Sequence, residues 1–110
     1  MITYHLAPLD RWQRTPVDEP YTAPSLETEG FIHCTTGADE MVATAERFYR
    51  DVAGPFVVLS VELDAIGVPW RYDTPDERFP HIYGPIPRSA IRRVVAIPRD
   101  EDGRFGAFPP

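Results

Sequence analysis

Proline constrains this chain more than any other residue type. It fills 13 of 110 positions, about 12% against a usual ~5%. Each proline fixes φ and removes a backbone donor, so long uninterrupted elements are disfavoured. The pattern predicts short elements joined by pinned loops and argues against a helical bundle. A chain of this length makes one domain, and folding buries about two thirds of its extended surface. Its apolar fraction of 43% and charged fraction of 25% are ordinary for a globular protein, which excludes wholesale disorder. A single Cys rules out an internal disulfide and a thiolate zinc site.

Charge narrows the function classes. The net charge is −6, and all 11 basic residues are Arg. An acidic chain without lysine is a poor general binder of nucleic acid or anionic membrane, because both select dense positive charge. The balance is uneven: residues 1–55 carry 4 Arg and 9 acids, residues 56–110 carry 7 Arg and 8 acids. A local anion pocket in the second half therefore remains open. No apolar run reaches the ~18 residues of a membrane span, and the N-terminus lacks a signal pattern. The expectation is a soluble, cytoplasmic protein.

Residues 2–6, Ile-Thr-Tyr-His-Leu, alternate and contain β-formers, so they read as a strand that Pro8 ends. Residues 9–14 can make a short helix, and residues 25–30 one helical turn from Ser25 to Gly30. Residues 31–35 form a short strand. Met41, Val42, Ala45, Phe48, Tyr49 and Val52 recur on one helical face. That spacing predicts a helix over 38–52, with Met41 and Phe48 buried and Arg47 and Arg50 exposed. Residues 56–63 are apolar in both phases up to Ser60, as a central strand requires. Short strands are expected at 70–72 and 92–97, and extended chain at 79–84. From Pro98 the chain turns polar and reads as a loosely held tail over 98–110. The order gives an α+β domain over 1–97 with a small mixed or antiparallel sheet and few helices.

Each of the three histidines lies in an apolar extended segment: Tyr4-His5-Leu6, Ile32-His33-Cys34 and Pro80-His81-Ile82. Alternation puts His5 and Thr3 opposite Ile2, Tyr4 and Leu6, so His5 should face a groove or solvent. It also puts His33 with Phe31 and Thr35, and Cys34 with Ile32. His33 and Cys34 therefore cannot pair as base and nucleophile. Cys34 reads as a buried small hydrophobe. No helical His-x-x-x-His spacing supports a metal site. There is no Gly-rich phosphate loop either.

The segments Tyr4-His5-Leu6-Ala7-Pro8, Glu29 to Thr36 and Phe79 to Pro87 resemble a bacterial family known as domain of unknown function 952. The likeness runs from residue 1 to about 97. That family is grouped with the ADP-ribosyltransferase-like folds, and the local pattern is similar to the RNA 2′-phosphotransferase branch. The resemblance implies that His5 contacts the ribose of NAD or of an ADP-ribosyl group, with His33 flanking the same cleft. Ala7-Pro8 stands where that branch has Gly-Thr. The implied acid falls to Glu62, with Asp73 as the other candidate. A ligand of this kind needs an anion partner, aromatic faces and a neutral group for ribose hydroxyls. Arg71, Arg78, Arg88 and Arg92 offer the first. Tyr4, Trp12, Trp70 and Tyr83 offer the second, and His5 the third.

Two functions follow. One is an ADP-ribosyltransferase-like domain that binds NAD as substrate, or a related small nucleotide-like molecule, and acts at the glycosidic bond. Catalytic His5, His33 and Glu62 would serve it, with Tyr4, Thr35, Arg71, Arg78, His81 and Tyr83 binding the ligand. The other is a non-catalytic small-ligand or protein-interaction module on the same fold. In the nucleotide case His5 and His33 should open onto one groove, with His81 at its rim and Arg71 or Arg78 reaching it.

Overall fold

A computed structural model describes residues 1–110. Six strands and three helices follow one another as β1 (Ile2–Pro8), α1 (Leu9–Arg14), α2 (Pro24–Thr28), β2 (Ile32–His33), α3 (Ala38–Phe48), β3 (Phe56–Glu62), β4 (Trp70–Tyr72), β5 (Pro80–Ile82) and β6 (Ile91–Ala96). Short 3-10 turns at Leu63–Ala65 and Arg88–Ala90 complete the path. No strand exceeds seven residues, as the proline content demands. No helix is long and apolar enough to cross a membrane.

The strands make two sheets rather than one. The first has the order β1-β3-β6 and the second β2-β5-β4, and every pairing is antiparallel. One backbone bridge, Tyr4–Thr35, links them through reciprocal bonds of 2.8 Å. One bridge pair is too little to merge the ladders, because β2 keeps only two paired residues before the chain turns toward β1.

The apolar run of β3 becomes the centre of the first sheet, with Val58, Leu59 and Val61 wholly buried. Two apolar clusters cover its two faces. Leu59 and Val61 join Tyr21, Ile32, Ile82 and Ile86 between the sheets. Val58 and Phe56 join Leu6, Met41, Ala45 and Phe105 beneath α3.

The alternation of β1 is as expected, and of the two surroundings expected for His5, groove or solvent, the structure gives the groove. Thr3, His5 and Ala7 lie on the more buried side, while Ile2 is 38% exposed. The second sheet covers the polar side of the strand, so His5 is 6% exposed and does not face solvent.

The long helix also ends early. It stops at Phe48 rather than residue 52, and Phe48 is 63% exposed instead of buried. Tyr49 takes the inward position, its ring 5.6 Å from Phe56, and Arg47 lies 5.2 Å over the Phe48 ring. Met41 and Ala45 are buried as the periodicity requires. Arg99 terminates the helix by donating to the carbonyls of Tyr49 (3.1 Å), Arg50 (2.9 Å) and Gly54 (2.8 Å).

That arginine also accounts for the packed C-terminal segment. Residues 98–110 are held, not loose. Arg99 lies 4.4 Å over the ring of the buried Phe105, and the Phe105 amide donates to the Glu46 carboxylate. Phe108 meets Tyr4 edge-on at 5.3 Å.

Candidate functional site

The second sheet sorts its residues by alternation. Ile32 and Ile82 share one register row and face the core, both wholly buried. The next row, His33, His81 and Arg71, consists of cross-strand partners and lies on the outer face. Phe31 and Tyr83 flank the row two positions along their strands, and Asp73 follows Arg71 in the same way. Three short strands thus bring two imidazoles, a guanidinium, two aromatic rings and a carboxylate to one surface.

Contacts within this face are dense. The His33 and His81 ring centroids lie 5.3 Å apart, and Phe31 stacks on His81 at 3.9 Å with 9° between the planes. Asp73 is the hub. It accepts from His81 Nδ1 at 2.7 Å, from Arg71 Nε at 2.7 Å and from the Tyr83 hydroxyl. The Tyr83 hydroxyl, Arg71 and His81 together hold the Asp73 carboxyl down at about 2 against partial desolvation. Arg71 in turn lies 4.4 Å over the Tyr83 ring.

Next to this face is a cavity of about 270 Å³ whose lining includes His5, Tyr21, Ser25, Glu29 and His33. His33 belongs to both. Its Nε2 lies 3.1 Å from Glu29 Oε2, a residue four positions earlier at the C-terminal end of α2. His5 Nδ1 lies 2.6 Å from the His33 carbonyl oxygen. A carbonyl only accepts, so Nδ1 carries the proton and His5 Nε2 is a bare lone pair. Burial lowers the His5 pKa from 6.5 to about 4, opposed by that hydrogen bond. His5 is therefore a neutral acceptor at neutral pH. Its Nε2 and the Tyr21 hydroxyl are buried and have no partner. Burial pushes the Tyr21 hydroxyl up to about 12 and keeps it neutral. The Arg11 guanidinium lies beside the Tyr21 hydroxyl without a hydrogen bond of good geometry, whereas His5 Nε2 has no neighbour to pair with, and a buried polar group normally finds a partner.

The sequence candidates divide cleanly. His5, His33, His81, Arg71 and Tyr83 come together across the cavity and sheet face. Glu62 does not: its carboxylate pairs with the N-terminal ammonium of Met1, an ion pair that holds it below the usual carboxylate range. Arg78 pairs with Glu40 (3.1 Å) and Asp76 (3.3 Å) instead of reaching the groove. Thr35 is buried in the bridge to β1, its hydroxyl 3.4 Å from that of Thr44. Tyr4 packs on Phe108, in the cluster on the side of β1 away from His5. Arg88 stacks on Trp12 at 4.2 Å and donates to the carbonyls of Thr15, Pro16 and Glu19, so it clasps a loop. Arg92 lies on β6, in the other sheet.

Tyr21, Glu29 and Phe31 are the members that sequence reasoning missed. Phe31 was legible from its shared face with His33, and Glu29 from its spacing of four before His33. Tyr21 had no local signal. It reaches the cavity because its backbone pairs with distant Ile86. Cys34 is buried, and burial pushes its thiol far up, as a structural thiol requires.

Fold and site together define a small α+β domain of two antiparallel sheets with a histidine-rich face beside a largely apolar cavity that His5, Tyr21, Ser25, Glu29 and His33 also line. The chain belongs to the family described as Protein of unknown function (DUF952), whose pattern matches residues 6–94. Its fold is similar to the crystal structure of protein CC0527 from Caulobacter crescentus, with a TM-score of 0.78 and 24% identity over 96% of this chain and 94% of that one. The solution NMR structure of CC0527 gives a TM-score of 0.69 and 26% identity, covering 93% and 89%. No curated protein matches the chain.

Proposed function

We propose that the domain binds a small nucleotide-type ligand of the NAD or ADP-ribose class, with a ribosyl unit in the cavity. The observation that carries this reading is the pair of unpartnered buried groups, His5 Nε2 and the Tyr21 hydroxyl. A lone-pair acceptor and a phenol, both neutral, suit vicinal sugar hydroxyls. A cavity of about 270 Å³ accommodates a sugar and part of its substituent rather than a whole dinucleotide. The remainder of such a ligand would lie across the open face, where Phe31 and Tyr83 offer aromatic surface and Arg71 a charge-assisted contact for phosphate. The resemblance to ADP-ribosyltransferase-like folds supports the same reading, and with it chemistry at the glycosidic bond. In that chemistry Glu29, not Glu62, is the carboxylate within the cavity lining. It would stabilise positive charge developing at the sugar carbon. The remote position of Glu62 favours a second reading, binding without turnover.

Thermal denaturation with NAD, ADP-ribose and nucleoside monophosphates tests the proposal. A ligand at 100 times its dissociation constant stabilises the fold by about 2.7 kcal/mol. The expected result is a shift with at least one of them that His5→Gln reduces. No shift with any of them overturns the reading. A shift with no release of nicotinamide from NAD selects the second reading.

A further inference from the structure

We propose that the outer face of the second sheet cleaves short ribonucleoside phosphodiesters by attack of the neighbouring 2′-hydroxyl. Each histidine of the face keeps one ring nitrogen free. Asp73 takes Nδ1 of His81, and Glu29 takes Nε2 of His33. Each carboxylate fixes one ring nitrogen and leaves the other for chemistry: Nε2 of His81 and Nδ1 of His33. The His33 side chain is 47% exposed and that of His81 14%, so both rings reach the surface. The two rings are register partners with centroids 5.3 Å apart, so one substrate can meet both.

Such a pair suits a reaction that removes one proton and supplies another. Arg71, the third member of the row, is 67% exposed in its side chain, and its Nη groups can meet an anionic centre. That combination fits displacement at phosphorus. The face presents no Ser or Cys nucleophile, and the Tyr83 hydroxyl is engaged by Asp73. The nucleophile must then come with the substrate, and a 2′-hydroxyl beside the 3′-phosphodiester supplies it. His81 Nε2 removes the 2′-hydroxyl proton while the O2′–P bond forms. The P–O5′ bond breaks, and protonated His33 gives its Nδ1 proton to the departing O5′. The products are a 2′,3′-cyclic phosphate and a free 5′-hydroxyl, with no oxidant, reductant or co-reactant consumed. Proton return between the imidazoles through solvent resets the pair. Phe31 and Tyr83 supply aromatic surface beside the reacting centre, as a nucleobase requires. A net charge of −6 restricts the substrate to short oligomers, because long polyanions are repelled.

Nucleotide binding rests on His5 and Tyr21 and is read by melting, whereas cyclisation rests on His81 and is read by its product, so each can fail alone although Arg71, Phe31, Tyr83 and His33 serve both. The test incubates the full chain with uridylyl-adenosine and, in parallel, with its 2′-deoxy analogue. A His33→Gln/His81→Gln double variant purified the same way reports contaminating nuclease. The expected outcome is cyclic phosphate from the ribo substrate alone, with a bell-shaped pH profile. Each single histidine variant should lose about 100-fold or more in rate. Arg71→Gln, at an exposed position, should lose rate with unchanged melting and carries the test if a histidine variant misfolds. Wild-type cleavage no faster than the double variant overturns the proposal, as does equal cleavage of the deoxy analogue.

Discussion

The two sheets divide the labour of the molecule. The first has strands of seven, seven and six residues, with apolar cover on both faces of its centre. The second has strands of two, three and three residues. It buries one face through Ile32 and Ile82 and gives the other to histidine, arginine and aromatic side chains. Long buried strands supply stability. Short strands anchored by one apolar row leave a full face free for chemistry, and the neighbouring sheet supports it through the His5–His33 contact.

This contrast makes measurable claims. The largest effect belongs to the first sheet. Leu59→Ala, in the middle of β3, should cost about 2–5 kcal/mol in urea unfolding. Arg71→Gln on the open face should leave the urea midpoint nearly unchanged. Comparable losses from the two would break the division.

The seam between the sheets should be sensitive to acid. The His5 pKa falls from 6.5 to about 4 on folding, so between those values the unfolded chain binds the extra proton. Stability therefore declines as pH drops from about 6.5 to about 4, by roughly 3 kcal/mol for that one group. Replacing His5 with Gln should flatten this part of the pH profile. The Asp73 contribution, present above the ordinary 3.8, is lost at still lower pH toward about 2. A profile unchanged by His5→Gln would show that the seam does not carry the titration.

A smaller loss concerns the C-terminal clasp. Arg99→Met retains an apolar stem but releases the carbonyls at the end of α3, and should cost about 1–2 kcal/mol. Amide exchange across residues 98–106 should accelerate with it. If exchange there is already as fast as in an unfolded peptide, the clasp is wrong. The smallest effect is that of Glu62→Gln, which should leave the urea midpoint unchanged, because its ion pair with the Met1 ammonium is exposed. Any nucleotide-induced shift in melting should also persist. Loss of that shift would return Glu62 to the site.

The sequence by itself determined the elements. Proline content limited their length, the apolar run of residues 56–59 marked the central strand, and alternation paired His33 with Phe31. These are local properties, set by backbone sterics and side-chain period. The sequence also singled out the histidines, because a polar ring inside an apolar strand needs a reason. Only the tertiary structure decided that Glu62 belongs to the N-terminus, that Arg78 belongs to Glu40 and that Tyr21 belongs to the cavity. It also decided that Phe48 is exposed while residues 98–110 are pinned. Those outcomes rest on contacts between distant parts of the chain, such as Met1 with Glu62 and Tyr21 with Ile86. Local periodicity fixes which way a side chain points. What stands opposite it depends on how the sheets pack, and no window of neighbouring residues contains that information.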